Sequence, residues 1–425
     1  MLIWVSEGAL FPLVCHDEMI QLMGRIIEYT PFQTMTKKPI LSTLCIAVVL
    51  MMSADARTWT SADGKKTFEG EMTAYDADAG RVTVDMKGRE ITFSINILSD
   101  DDIAFIKEEA PKLTAAPTVG GGGSVAVGDV PDTLPDHDGK EADTSKPVQV
   151  FILLGQSNML GFGNTGALKG MAADKYPYLV DDSGEWITRK DVRDVFYCMG
   201  KQRHNNWLVP GNANKFGPEI GIGNYLGHAI DAPVMILKSC VGNRALGWDL
   251  LPPSAVGTGA KGGSYAGDSE YGNRKVKENR DGWYAGLQYD QDIGAAQEVL
   301  RNLGDYYPGA TKHEVAGFFW WQGCSEGKGN PGTYDKNLAF LFSDLKKDFG
   351  NPNAKFVGAT LGENDKGAGL APKMFAFADA HDDAAFFYSK PVSKGGSCGH
   401  YGGDAATYMN VGEGMGKLMI ELMSK

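Results

Sequence analysis

Positive charge is in short supply in this chain. Its 425 residues carry 41 Lys and Arg against 53 Asp and Glu, a formal net charge of -12. That balance argues against a general affinity for the phosphate backbone of nucleic acid. Cysteine is also sparse, with 6 residues and no Cys-x-x-Cys spacing, so the usual thiolate pairs of a structural zinc site are missing. No apolar run reaches the roughly 20 residues that a membrane-spanning helix needs. Neutral or polysaccharide substrates remain open to such a chain.

The one short apolar run has the grammar of a leader. From Met35 the sequence reads "MTKKPILSTLCIAVVLMMSADA", two lysines followed by an apolar stretch and an Ala-x-Ala close at Ala56. This predicts a signal peptide over 35–56 and export to the periplasm or medium. Residues 1–34 have no such logic and are expected to be an upstream extension called in error. Cys15 and Cys45 fall in the part removed. Cys198, Cys240, Cys324 and Cys398 remain, an even number that an oxidising compartment allows to pair.

Residues 57–109 read as a small β unit. Alternating apolar residues, with Trp59, Phe68, Val82, Val84, Ile91 and Phe93 on the inward face, are split by Asp-Gly, Ala-Gly and Lys-Gly turns. Ser99 is placed to cap a short closing helix. "R-x-W-T-x-x-D-G-K" at the start and "I-x-x-L-S-x-x-D" ending at Asp102 resemble an SH3-like module first described in a yeast actin-assembly protein. The resemblance implies a binding or spacing role without catalysis. Residues 110–146 are rich in Pro, Ala, Thr, Gly and Asp and are expected to form a flexible linker.

Beyond the linker, apolar strand-like runs at 148–154, 233–238, 315–321, 355–360 and 385–389 alternate with helix-period segments near 219–230, 287–303, 334–349 and 405–423. The alternation predicts an α/β domain over 147–425, a parallel sheet with helices on both faces. Ligands of such sheets bind beyond the carboxyl ends of the strands. Ser157 follows "FILLGQ" at one such end, Gly242 follows "PVMILKSCV" at a second, and Gln322 follows "VAGFFWW" at a third. A serine N–H, a glycine N–H and a side-chain amide would make an oxyanion hole there. His400 lies on a glycine-rich loop before the last helix.

The blocks "GQSNM", "FGPEIGIG", "KSCVGNRAL", "WWQGCSEG" and "GHYGGDAATY" resemble, in that order, those of the sialate O-acetylesterase and family six carbohydrate esterase group of SGNH hydrolases. The resemblance implies a three-layer α/β/α, flavodoxin-like domain that removes O-acetyl groups from carbohydrate. It assigns Ser157 as nucleophile, His400 as general base, and Ser157, Gly242 and Gln322 as the oxyanion hole. Gln156, Asn158, Asn243 and Trp248 are the expected substrate contacts, Trp207 is a second ring that could stack on a sugar, and no metal or cofactor is called for.

Two departures from the family pattern matter. Its aspartate three residues before the histidine is Ser397 here, and its "Q-G-E-S-D" reads Gln322-Gly323-Cys324-Ser325-Glu326. Glu326 is therefore the candidate triad acid, with Asp404 expected to cap the last helix instead. A Cys324–Cys398 disulfide is the expected use of the cysteines, a zinc site with His400 the disfavoured alternative. A carbohydrate-binding protein that has lost catalysis, and a lipase or thioesterase with an acyl groove, stand as the other readings.

Overall fold

The computed structural model describes residues 57–62, 64–76, 80–86, 90–113, 127–128, 130–267 and 283–425. The leader-like segment and the extension before it lie outside them. Among the described residues no helix is long and apolar enough to cross a membrane.

Strands β1 (Arg57–Thr60), β2 (Thr67–Asp76), β3 (Arg81–Asp85) and β4 (Glu90–Ser94) pair in sequence order as an antiparallel sheet, followed by α1 (Asp100–Leu113). Trp59, Met72, Val82, Val84 and Ile106 are buried between them, with Phe68 and Phe93 packed alongside. Asp102 explains why the helix docks where it does. Its carboxylate accepts from Arg57 Nη2 at 2.8 Å, Thr60 N–H at 2.7 Å and Ser99 Oγ at 2.9 Å, tying the first helical turn to β1.

The larger α/β region begins with β5 (Val148–Gly155), α2 (Ser157–Leu160), β6 (Gly163–Asn164), α3 (Thr165–Lys175), β7 (Arg189–Cys198), β8 (Lys201–Leu208), β9 (Lys215–Phe216) and α4 (Glu219–Ala229), with β6 and β9 paired as a separate antiparallel ribbon. It continues through β10 (Val234–Ser239), α5 (Leu287–Arg301), α6 (Leu303–Tyr306), β11 (His313–Trp321), α7 (Tyr334–Asp348), β12 (Lys355–Ala359), α8 (Ala371–Asp379), β13 (Ala384–Phe387) and α9 (Ala405–Met423). Seven strands lie in the order β13-β12-β11-β5-β10-β7-β8, parallel except for β8.

Alternation along the central strand β5 divides its side chains between two cores. Phe151 and Leu153 pack with Ile222 and Tyr225 of α4 and Met409 and Met415 of α9. Val150, Ile152 and Leu154 pack with Ile293 of α5 and Leu338, Leu341 and Leu345 of α7. Full burial of each such side chain contributes roughly 1.5–3 kcal/mol. Apolar residues on both faces are what a sheet covered on both sides requires.

Two expectations need correction. Residues 130–146 do not form a free tether. Leu134 is buried in the α4/α9 core, Lys417 Nζ and Tyr225 Oη donate to Asp132 O, and Asp138 receives Arg189. Lys140 Nζ donates to Gly227 O and His228 O, so a cation neutralises the carboxyl end of α4. These contacts offset the ordering entropy that composition alone implied would win. Trp207 is a strand residue of β8, not a loop platform. Arg193 lies 4.8 Å from its ring centroid and Tyr307 meets it edge-on.

Candidate functional site

The carboxyl ends of β5, β10 and β11 bring the first group of expected residues together. Gly155 closes β5 with φ +145°, and a Cβ there would sit 2.4 Å from Trp321 O, so only glycine fits. Gln156 N–H donates to that same carbonyl at 3.2 Å. The turn leaves Ser157 at the start of α2, 9% exposed. Gly242, at the end of β10, is beside it: a Cβ built on Gly242 would lie 3.7 Å from Ser157 Cβ. Among the described residues neither the Ser157 nor the Gly242 N–H donates to another backbone group.

The other expected oxyanion donor is engaged elsewhere. Gln322 Nε2 donates to Arg244 O at 2.9 Å and to Glu326 Oε2 at 3.1 Å, while Tyr334 Oη donates to Gln322 Oε1 at 2.9 Å. Two acceptors around Nε2 fix the amide orientation and use both of its hydrogens. The Gln322 side chain therefore holds its own loop, and both hydrogens of Nε2 are engaged there.

Glu326 is likewise a structural knot. It is 1% exposed and accepts from Leu246 N–H at 2.8 Å, Gly247 N–H at 3.0 Å, Asn330 N–H at 3.2 Å and Gln322. Burial pushes its carboxyl above the ordinary range, against the pull of those donors. Among the described residues it makes no hydrogen bond or ion pair with His400. Its partners are the donors of neighbouring loops and not the imidazole it was expected to orient.

The expected substrate contacts divide in the same way. Gln156 Oε1 accepts from Ser325 N–H, and Asn158 donates to Ser397 O while accepting from Tyr408 Oη. Both are buried ties between loops. Asn158 has a use all the same, because it joins α2 to the segment that carries His400. Asn243 is exposed with φ +62° and accepts from Lys328 Nζ at 2.6 Å. Trp248 is partly buried and packs against Leu251, Ala255 and Ala285.

His400 sits in the 3-10 segment Ser397–Gly403 with φ +55°. Its imidazole stacks on Phe162 at 3.9 Å between centroids and 5° between planes. Among the described residues no carboxylate bonds or pairs with it. Burial lowers its pKa, and the nearby Lys215 ammonium lowers it further. A cavity of about 410 Å³ opens beside it, lined by Phe162, Asn164, Asn214, Lys215 and the Gly402–Gly403 turn.

Ser397, three residues before His400, is bound by a carboxylate from another loop. Glu363, after β12, accepts from Ser397 Oγ at 2.5 Å and Ser397 N–H at 2.9 Å. Nothing in the spacing of the sequence signalled Glu363, nor the roles of Phe162 and Lys215, because each reaches its neighbours through a turn. Cys324 is joined to Cys398 as expected, linking the Gln322 loop to the His400 loop. Cys198 and Cys240 are free. The Asp404 carboxylate caps α9 by accepting from Thr407 N–H at 2.9 Å.

Beneath Ser157 two buried polar groups brace the strand ends. Lys238 pairs with Glu219 at 2.9 Å and donates to Leu160 O at 3.0 Å. Asp292 accepts from Ser239 Oγ at 2.7 Å and from Gln288 Nε2 at 3.0 Å, and Gln288 Nε2 also reaches Gly155 O. Complete burial pushes the Asp292 carboxyl up to about 7.

No family model matches the chain, and no curated protein is significantly similar to it. Among solved structures, a protein of Arabidopsis thaliana is similar over 65% of this chain and 99% of its own, at 15% identity and a TM-score of 0.41. A carbohydrate acetylesterase from Xanthomonas citri is similar over 86% of this chain and 68% of its own, at 14% identity and a TM-score of 0.41. What the fold and site define is an α/β chain with a serine at the carboxyl end of its central parallel strand.

Proposed function

We propose that this chain is a serine esterase that removes O-acetyl groups from carbohydrate outside the cytoplasm. The observation that carries the reading is Ser157 at the end of β5, with its own N–H and that of Gly242 unclaimed beside it. His400 takes the Ser157 Oγ proton as Oγ attacks the acetyl carbonyl. The two backbone N–H groups stabilise the oxyanion, and as the bond between the acyl carbon and the sugar oxygen breaks, the protonated imidazole gives its proton to that oxygen, which leaves as the sugar hydroxyl. Water then attacks the acetyl-enzyme by the same route, releasing acetate.

Gln322 is not a donor in this scheme, so the oxyanion hole has two donors instead of three. Each missing donor costs about 10²–10³ in rate. Stacking on Phe162 fixes the plane of the His400 ring but leaves its tautomer unselected. That favours a second reading, a carbohydrate-binding protein of weak or lost catalysis, since an orienting acid is worth up to about 10⁴. Hydrolysis of a chromogenic acetate ester by the purified protein, Ser157→Ala and His400→Ala separates the two. Loss of activity in both variants supports the esterase; equal rates for the unsubstituted protein and Ser157→Ala support binding alone.

A further inference from the structure

The cavity beside His400 has an unusual balance of charge for so acidic a chain. Of the residues that line it, none is a carboxylate and one, Lys215, is a cation. Lys215 is exposed, and among the described residues its ammonium makes no ion pair or hydrogen bond. Its ammonium lies 4.4 Å from the centroid of the Phe162 ring, which also carries the stacked imidazole of His400. The pairing of β6 with β9, Asn164 opposite Lys215, fixes the lysine at this mouth.

Other groups in the lining favour an anion as well. Asn164 caps the 11-residue helix α3, and its Oδ1 is taken by Ala167 N–H, which leaves the amide hydrogens of Nδ2 for a ligand. A volume of about 410 Å³ suits one or two sugar residues, and Phe162 offers an apolar wall.

We propose that this cavity is a subsite for a sugar carboxylate, with Lys215 as the residue that selects acidic over neutral glycans. The esterase reading supplies the assignment of His400 as the shared wall between this subsite and the reacting ester. Recognition itself does not depend on turnover. A carboxylate held by an ammonium and an amide donor is bound by charge-assisted hydrogen bonds, while a neutral sugar gains only the apolar wall and the amide.

The test is titration calorimetry on the full chain carrying Ser157→Ala, with trigalacturonic acid, N-acetylneuraminic acid and xylotriose as probes. At least one acidic probe is expected to bind more tightly than xylotriose, and more weakly as salt rises. Adding Lys215→Ala should weaken that probe roughly tenfold, leave xylotriose unchanged, and be restored in part by Lys215→Arg. Which acid binds distinguishes a uronate from a sialate source. Equal affinity for acidic and neutral probes, no binding of either acid, or an equal loss for all three in Lys215→Ala overturns the proposal. Lys215-dependent binding without ester hydrolysis would leave the subsite standing and remove the esterase reading. Ser157-dependent hydrolysis with no preference for acidic glycans would do the reverse.

Discussion

Replacing Glu326 by alanine tests whether this carboxylate orients His400 or holds the site together. Four donors converge on it, from Leu246, Gly247, Asn330 and Gln322, at 2.8 to 3.2 Å. Glu326→Ala leaves all four without an acceptor in a place that is 1% exposed. At about 1 kcal/mol of net stability per bond, the loss is about 4 kcal/mol, within the range for removing one partner of a buried charged contact. For a domain of this size each 1 kcal/mol moves the midpoint by about 2–4 °C, so Tm should fall by about 10 °C. Glu326→Gln keeps one carbonyl oxygen for two of the donors and should lose about half as much. The assay is thermal unfolding beside kcat and KM for a chromogenic acetate ester, read well below both midpoints. A triad acid would behave in the opposite way, with Tm nearly unchanged and kcat lower by about 10⁴. That pattern would refute the structural role argued for Glu326.

Three further outcomes follow from the same geometry. Because burial and then Lys215 lower the His400 pKa below its ordinary 6.5, the imidazole stays neutral and able to accept a proton to a lower pH. Lys215→Gln should therefore move the acid limb of the kcat/KM profile to higher pH; an unmoved limb excludes His400 as the base felt by Lys215. Asp292 has its folded pKa raised from 3.8 to about 7, so its protonated form is favoured by folding and the stability it brings is lost as pH rises through about 7. Urea unfolding between pH 4 and 8 should lose roughly 4 kcal/mol to this group, and Asp292→Asn should flatten the curve. Gly155→Ala forces a Cβ to 2.4 Å from Trp321 O at φ +145°. It should lower Tm and abolish any Ser157-dependent hydrolysis together, whereas a stable, active variant would show that the turn can rearrange.

Much of the larger domain was legible because both faces of its sheet are covered. Runs such as "VQVFILL" are apolar throughout, and their alternation with 3.6-period helices leaves few topologies. The β7–β8 hairpin was not legible. Its turn places Met199 and Gly200 at φ +53° and +66°, a type I′ geometry that an Asn-Gly pair would have announced and a Met-Gly pair does not. Both strands are also rich in charge, "RKDVRDV" in β7 and "KQRHNN" in β8, which lies at the edge of the sheet, and this masks the alternation. The segment 130–146 was misread for a related reason. A chain with little apolar surface looks unstructured until Asp132, Asp138 and Lys140 find partners on α4, α9 and β7 that sequence spacing cannot supply.

The candidate site divides along the same line between local and distant geometry. Ser157 and Gly242 lie beside each other because each follows within a few residues of a strand end, where position is set largely by the backbone. Gln322 and Glu326 were placed at the right strand end but given the wrong partners, since a buried amide or carboxylate bonds to whatever donors the neighbouring loops bring. The same rule accounts for position 397. A serine there cannot orient an imidazole as an aspartate would, yet its hydroxyl and N–H are both taken by Glu363 from the loop after β12. A carboxylate is thus present in this corner of the fold, but it is bonded to Ser397, while the His400 ring stacks on Phe162. The disulfide between Cys324 and Cys398 closes the same corner, so Ser397, Glu363 and both cysteines act together to hold the His400 loop. A histidine positioned by stacking and by its loop, with no acid bonded to it, is consistent with slow acyl transfer or with binding alone, and the paired Ser157 and His400 substitutions distinguish them.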